Sequence, residues 1–477
     1  MRPPPLRPSR RSTAVVESLD LRSPRRLHVT NVGGAGMSGI ATLLVEMGHE
    51  VSGQDPASDT PFLAAVAAIG VEIHTGAGVA DLRGVDAVIT STATPADHPA
   101  VLAATTAGIP VLHRADALAA ICGQRLTVGV AGTHGKTTTS AMLATLLASA
   151  GVEPGWVVGA RVAALGASAA WGGAGPLVVE ADESDGTFLR LGAGAAIVTN
   201  VEPDHLEHWG GEAELRAGFE RFVAAVDGPV VLCLDDPAAA ALVAAASHPV
   251  TYGTDPASHY RIGSIDAQPM GVRFLLQHGD AEFEVVVPAA PGEHNAGNAA
   301  AAVAMAHQLG LGLDVAVRAI ATFGGVARRF EERGEAAGVV LVDSYDHLPT
   351  EVRAALAAAR SGDWGRIVCC FQPHRFSRTE ALWRTFADAF GDADVLVVTD
   401  IYPAGESPRP GVTGQLVATA VQEAHPDQVV IWQPSLDDVV AYLGATLRSG
   451  DLCLTLGAGD LTTVPDRVLA LLAERAR

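Results

Sequence analysis

Along this chain, short apolar and β-branched runs alternate with Ala- and Leu-rich stretches of helical character, the order expected of βαβα units with parallel strands. The first block predicts a strand at Leu27–Val32, a helix at Ser38–Met47, and strands at Glu50–Ser52 and Ala87–Ser91. After Gly123-Gln124 a second block predicts a strand at Leu126–Val130, a helix at Thr137–Ser149, strands at Pro176–Glu180 and Ala195–Thr199, and an Ala-rich helix at Gly297–Leu309. A third block opens near Gly324-Gly325 and predicts strands at Val339–Val342, Arg366–Phe371, Val395–Thr399 and Leu452–Leu456. The expected fold is therefore α/β with three domains, over 27–123, 124–323 and 324–477, after a lead-in at 1–26. No internal repeat is evident.

Composition narrows this picture. A length of 477 residues suits three domains at roughly 150 residues each. Aromatics are only 5% against 48% hydrophobic residues, so the cores must be built from Ala, Val and Leu. Charged residues, at 18%, are too few for a disordered chain. The Pro- and Arg-rich segment Met1–Arg26 is the exception; it lacks the apolar stretch of a secretory signal and reads as a mostly disordered lead-in. The net charge of −21 and the lack of a basic stripe after residue 26 exclude a nucleic-acid binder. The uncharged stretches Val162–Val179 and Asn295–Leu313 are broken by Gly and Pro, and by Asn, His and Gln, so neither reads as a membrane span. The cysteines Cys122, Cys233, Cys369, Cys370 and Cys453 form no C-x-x-C pair and read as reduced, buried thiols of a cytoplasmic protein, monomer or homodimer.

The candidate chemistry sits where predicted strands end. Gly33-Gly-Ala-Gly-Met-Ser-Gly39 contains G-x-G-x-x-G from Gly34, and Asp55 follows Gly34 by 21 residues. Such glycines let a diphosphate approach the amides of a helix N-terminus, and an acid after the second strand suits a ribose. A dinucleotide, a diphosphate-sugar and a ligand-free tight turn all fit this string. Gly132-Thr-His-Gly-Lys-Thr-Thr-Thr139 departs from the strict phosphate-loop pattern, because Val130 stands where the first Gly belongs. Its physics is kept: Gly-rich backbone and Lys136 can cradle β and γ phosphates, and the Thr137 hydroxyl can bind Mg²⁺. Leu177-Val-Val-Glu-Ala-Asp-Glu-Ser-Asp185 ends a strand in four carboxylates, with Glu180 nearest the sheet, as a Mg²⁺ site requires; a plain acidic loop is the alternative. Asp204 and His205 end the next strand, His205 being either a satisfied histidine or a base. Asn295 and Asn298, three apart, share a helical face or cap the helix that follows. Arg328-Arg329 and the cluster Gln372-Pro-His-Arg-Phe-Ser-Arg378 suit recognition of carboxylate or phosphate, whereas Arg333 reads as a solvated surface residue.

Together, and in this order, these strings resemble the Mur ligases from Leu27 to about Asp466, including the later YPAGE and GAGD. The resemblance implies a Rossmann-like UDP-sugar domain, a central P-loop-type ATPase domain and a C-terminal Rossmann-like domain that receives an amino acid. It implies ATP as co-substrate with Mg²⁺, and UDP-N-acetylmuramate and L-alanine as partners. The UDP-sugar would meet Gly34, Ala35, Gly36, Met37, Ser38, Gly39, Asp55 and Ser91. ATP would meet Gly132, Thr133, His134, Gly135, Lys136, Thr137 and Thr138, then His294, Asn295, Asn298, Arg329 and Asp343. Thr137, Glu180 and His205 would hold the metal, and Lys136, His205, His347, Arg375 and Arg378 would be catalytic.

One stretch departs from the family's usual Asp-Asp-Tyr-(Gly/Ala)-His-His-Pro. Here it reads Asp343-Ser-Tyr-Asp-His-Leu-Pro349, so Ser344 replaces a carboxylate and any contact it made is weakened or moved to Asp343 or Asp346. Gly123 and Gly324 mark expected hinges for domain closure. Three rival readings fit less of the chain: a sister ligase that attaches a preformed tripeptide, an NAD-dependent oxidoreductase invited by the first loop, and a Mur-like protein that has lost catalysis.

Overall fold

A computed structural model describes residues 19–58, 60–76 and 81–475. It holds three sheets in chain order. The first joins β1 (Arg26–Thr30), β2 (Glu50–Asp55), β3 (Glu72–Thr75), β4 (Ala87–Thr90) and β5 (Val111–His113) in the order β3-β2-β1-β4-β5, all parallel. The helix Ala35–Glu46 follows β1 directly.

The second sheet has ten strands. Five form its working half: β6 (Thr127–Ala131), β7 (Gly155–Val157), β9 (Leu177–Glu180), β10 (Ala195–Val198) and β11 (Pro229–Cys233), mutually parallel in the order β11-β10-β6-β9-β7. The two-residue β8 (Ala169–Ala170) closes one edge. At the other edge lie β12 (His248–Gly253), β13 (Tyr260–Gln268), β14 (Gly271–His278) and β15 (Ala281–Pro288). Because β6 lies between β9 and β10, the loops leaving all three strands emerge side by side, the usual place for a ligand in an open α/β sheet. The helix Lys136–Ser149 behind β6 is buried along Thr137–Leu147 almost all round, so it serves as a core element.

The third sheet runs β16-β17-β21-β18-β19-β20, with β16 (Glu331–Ala336) antiparallel to β17 (Val339–Ser344). The remaining strands, β18 (Arg366–Phe371), β19 (Val395–Val398), β20 (Val429–Trp432) and β21 (Asp451–Leu456), are parallel to β17. β21, last in sequence, lies at the centre and is fully buried.

The cores follow the composition: Leu27, Val29, Ile40, Leu43 and Ile89 in the first sheet, and Val128, Val130, Val178 and Ile197 in the second, are at most 3% exposed. By compactness the chain forms two units. One runs up to Gly263 and adds Leu275–Val285 and Gly297–Phe323; the other takes Ser264–Phe274, Val286–Ala296 and everything from Gly324.

Several sequence expectations need adjustment. The reading of 1–26 as a disordered lead-in lies outside the described residues as far as 18. From Leu19 onward the chain is placed: Leu21 is buried in the core, and the Arg25 N–H donates to His49 Nδ1 at 3.1 Å. The Ala-rich helix spans Glu293–Gln308, so Asn295 and Asn298 lie inside it and cap nothing. Arg333 is not a solvated residue: it donates to the Thr462 carbonyl and pairs with Asp466 and, at 3.7 Å, Asp343. All five cysteines are free, and all but Cys233 are buried. Among the described residues no helix is long and apolar enough to cross a membrane.

Candidate active site

The loop after β6 is shaped by its neighbour. Gly132 has φ +132°, and a Cβ there would stand 2.0 Å from Thr199 Oγ1, so only glycine fits. From there the loop is sewn to the segment after β10. Thr133 N–H donates to the Asn200 carbonyl (3.1 Å), His134 N–H donates to Asn200 Oδ1 (2.8 Å), and the His134 carbonyl accepts from Thr199 Oγ1 (2.6 Å). Gly135, at φ +80°, starts the helix, and its missing Cβ leaves room for Asn298 Oδ1, which also accepts from Thr139 Oγ1 at 3.1 Å. Thr138 is half-buried in the first helical turn.

Lys136 and Thr137 each face a carboxylate from the end of β9. Lys136 Nζ donates to Glu183 Oε1 (2.9 Å) and to the carbonyls of Gly132 (2.6 Å) and Thr133 (3.1 Å). Burial holds Glu183 up to about 7 against the pull of Lys136. Burial also works against the Lys136 charge, but Glu183, Asp182 and Glu180 outweigh it and raise its pKa. Thr137 Oγ1 donates to Glu180 Oε1 at 2.9 Å, and Glu180 Oε2 accepts from Gly159 N–H at 2.8 Å. This hydroxyl–carboxylate pair beside a phosphate-shaped loop fits Mg²⁺, which takes one or two protein ligands and completes its shell with phosphate oxygens and water. Among the described residues no three His, Cys, Asp or Glu side chains form a cage by themselves. His205 sits at the same sheet edge with φ +53°, its Nε2 3.3 Å from Asp204 Oδ2.

The glycine string Gly33–Gly39 follows β1 and opens a helix, as its sequence predicts. Gly34 precedes the first turn of the Ala35–Glu46 helix without a side-chain cap, leaving the amides there open; Met37 and Ser38 are buried. A Cβ on Gly39 would stand 2.7 Å from Val157 Cγ2, so this glycine serves close packing against the second sheet. Asp55, placed by sequence at a ribose, is buried, and its two oxygens accept from the N–H groups of Gly33 (2.8 Å) and Ala57 (2.9 Å); it braces the loop. Ser91 N–H donates to Thr94 Oγ1, and Thr94 in turn donates to Asn31 Oδ1.

In the second unit Asp343 is 1% exposed and accepts from Thr455 Oγ1 (2.7 Å) and Thr462 Oγ1 (2.6 Å), with Arg328 Nε 3.4 Å away, so it too is a brace. The departing stretch closes on itself. Ser344 Oγ donates to Asp346 Oδ2 at 2.6 Å and accepts from Phe330 N–H, so the carboxylate absent at 344 reappears two residues on. Leu348 is buried, and its N–H and that of His347 donate to Glu351 Oε2. His347 packs edge-on to His374, which stacks on Tyr402 and lies 3.1 Å from Arg378 Nη1. Burial lowers the His374 pKa to about 3. Arg375, at φ +67°, keeps its Nε buried without a hydrogen-bond partner. Arg329 lies over the Tyr345 ring, and Asn295 Nδ2 donates to the Pro291 carbonyl beside His294.

The structure thus brings Lys136, Thr137, Glu180 and Asn298 together, and sets His347 and Arg378 each against His374. Sequence reasoning did not single out Arg114, and it took in Glu183, Asn200, His374 and Tyr402 only within longer strings, without a role. Arg114 and Asn200 each follow a parallel strand, the signal that had marked Glu180.

Comparison with known proteins now gives the class. Three Mur ligase models match in order: the family catalytic domain over 26–125, the middle domain over 130–306 and the glutamate ligase domain over 328–459. The chain belongs to the Mur ligase family. UDP-N-acetylmuramate–L-alanine ligase of Anaeromyxobacter sp. strain Fw109-5 is 43% identical over 95% of this chain and 99% of its own. The enzyme of that name from Kineococcus radiotolerans is 46% identical over 94% and 97%. The crystal structure of UDP-N-acetylmuramate-alanine ligase from Thermotoga maritima superposes with TM-score 0.81 at 26% identity, covering 95% of this chain and all of that one.

Proposed function

We propose that the protein is a cytoplasmic ligase that joins L-alanine to the lactoyl carboxylate of UDP-N-acetylmuramate with cleavage of ATP, in peptidoglycan precursor synthesis. The observation that carries this reading is the end-to-end similarity to ligases of that name, spanning both phosphate loops and the basic third segment. The lactoyl carboxylate attacks the γ-phosphorus, ADP leaves, and the resulting acyl phosphate is attacked by the alanine amine with loss of phosphate. Backbone N–H groups from Gly132 to Thr138 hold the phosphates, and Lys136 offsets the charge that builds on the transferring group. Thr137 and Glu180, with His205, are the residues for Mg²⁺, which supplies further charge neutralisation when bound. His294, Asn295 and Asn298 serve the adenine side and Arg329 the phosphate or ribose side. Gly34 to Gly39 and Ser91 serve the UDP-sugar. Arg375 and Arg378 serve the amino-acid carboxylate and the acyl phosphate, with His347 beside them. Asp55 and Asp343 act through the loops they brace.

The test is phosphate release from Mg²⁺-ATP with UDP-N-acetylmuramate, with and without L-alanine, the product identified by mass. Release that needs alanine and yields the alanyl product supports the reading. Release with a preformed tripeptide and none with alanine moves the chain to the sister reaction; silence with every acceptor despite ATP binding removes the ligase reading.

A further inference from the structure

The residue that stands out is an arginine that no motif contains. Arg114 follows β5 and opens the helix Arg114–Cys122. Its side chain is 22% exposed, and its guanidinium donates from Nε to Asp185 Oδ2 (3.2 Å) and from Nη2 to Asp185 Oδ2 (2.7 Å) and Asp182 Oδ2 (3.3 Å). Nη1 takes no part in these bonds. It lies 3.2 Å from where a Cβ on Gly36 would stand, over the open first turn of the Ala35–Glu46 helix.

The turn that Arg114 grips also holds the ATP loop. Asp182 Oδ1 accepts from Ser184 N–H and Asp185 Oδ1 from Thr187 N–H, while the Glu183 carbonyl accepts from Gly186 N–H and from Trp209 Nε1. That leaves the Glu183 side chain one direction, toward Lys136. Charge follows geometry. Burial pushes Asp185 up, but its hydrogen bonds from Thr187 and Arg114 hold it below the usual carboxylate range. Without Arg114 neither Asp182 nor Asp185 would keep an ion pair among the described residues.

We propose that Arg114 is a positioning residue that couples the two phosphate loops: one edge of its guanidinium fixes the Asp182–Asp185 turn, and through Glu183 the Lys136 ammonium, while Nη1 meets the diphosphate of the sugar nucleotide at Gly36. This rests on the ligase reading above. An arginine suits the task because its planar fork presents donors along two edges at once, which a lysine cannot do.

The experiment compares Arg114→Ala and Arg114→Lys with the wild type in the full-length protein. UDP-N-acetylmuramate binding is measured calorimetrically without nucleotide, and kcat and both KM values by phosphate release. Arg114→Ala weakens sugar-nucleotide binding by about tenfold or more, the scale of a lost charge-assisted phosphate contact. It also lowers kcat at saturating substrates. Arg114→Lys keeps the wild-type melting temperature yet recovers only part of the binding, and added guanidinium ion restores turnover of the Ala variant in part. Sugar-nucleotide affinity unchanged in Arg114→Ala overturns the contact. An early-melting Ala variant whose Lys counterpart is wild type in kcat and both KM values makes Arg114 a structural brace and overturns the coupling. A wild type that binds the sugar nucleotide but ligates no alanine fails the functional reading instead, and leaves the binding ratio to judge Arg114.

Discussion

Lys136 is where the charge of the ATP loop is concentrated, and everything around it limits its freedom. Its ammonium is held by Glu183 and by the carbonyls of Gly132 and Thr133. On the proposed role of Lys136 as the cation that offsets the transferring phosphoryl group, Lys136→Ala should lower turnover by about a thousandfold or more, the scale of a lost electrostatic stabiliser. Because Lys136 does not touch the Gly34–Gly39 loop, UDP-N-acetylmuramate binding measured by calorimetry should stay within about twofold of wild type. A second prediction concerns His28, buried in β1 with Nδ1 on Ser52 Oγ and Nε2 unpartnered. Burial, helped by His74 and His98, lowers its pKa from 6.5 to about 4. The folded state therefore resists a proton that the unfolded chain accepts. Stability is fully present above about pH 6.5 and is lost as pH falls toward 4, by up to about 3 kcal/mol from this residue. Urea melts at pH 7.5 and 5 should show the loss, and His28→Gln should lessen it. At this scale the sequence was legible where a residue's placement is written in its local string, as for Lys136 and Thr137 at the start of the helix after β6. It did not disclose the loop-bracing bonds of Asp55, whose spacing suggests a ribose contact, or of Asp343, which the family resemblance points to. Both are buried and accept from partners as far as 22 and 119 residues away, which no local pattern encodes.

At the scale of elements, the strands that carry chemistry were the easiest to read. Arg366–Phe371 matches its predicted bounds, and β6, β9, β10 and β21 fall within a residue of theirs, because buried parallel strands are continuous apolar runs. The hairpin strands β13 to β15 went unread. β13 alternates buried and open positions, while β14 and β15 carry apolar runs of only three residues, Phe274–Leu276 and Val285–Val287, too short to mark a strand by themselves. The Ala-rich helix starts a turn earlier than its apolar face, since Gly292, at φ +94°, and not an Asn, sets its beginning. The loop after β6 gives the clearest test of an element's geometry. Gly132→Ala places a Cβ on Thr199 Oγ1 at a backbone angle that L-residues avoid, so the stitching to Thr199–Glu202 must give way. ATP-dependent phosphate release should be lost, with a stability cost of about 1–3 kcal/mol, checked by thermal melts alongside the assay.

For the whole molecule, the first two predicted domains are not independent bodies. The helix after β1 approaches the second sheet at Gly39, Glu46 Oε2 accepts from Trp171 N–H, and Arg114 and Arg190 pair with Asp182, Asp185 and Asp116. Gly123 is bridged on both sides by these ties and is a poor hinge, a point that sequence could not disclose because each tie joins residues 68 or more apart. Calorimetry should show residues on either side of Gly123 melting in one transition. Gly39→Val, which drives a side chain into Val157, should split or broaden it while lowering stability by about 1–3 kcal/mol. The three-segment order itself was legible, because each segment opens with its own strand and glycine-marked turn.

The five cysteines have a practical consequence. Four are sealed in the interior with thiols held far from ionisation, and only Cys233 is partly accessible. Thiol-reactive dyes attack thiolates, so the native protein is close to blank for such labels. A Cys233→Ser background with one new surface cysteine in each compact unit would therefore carry a fluorophore pair at chosen places. Energy transfer between them would report, in solution and during turnover, whether the distance between the two units changes as substrates are added in turn.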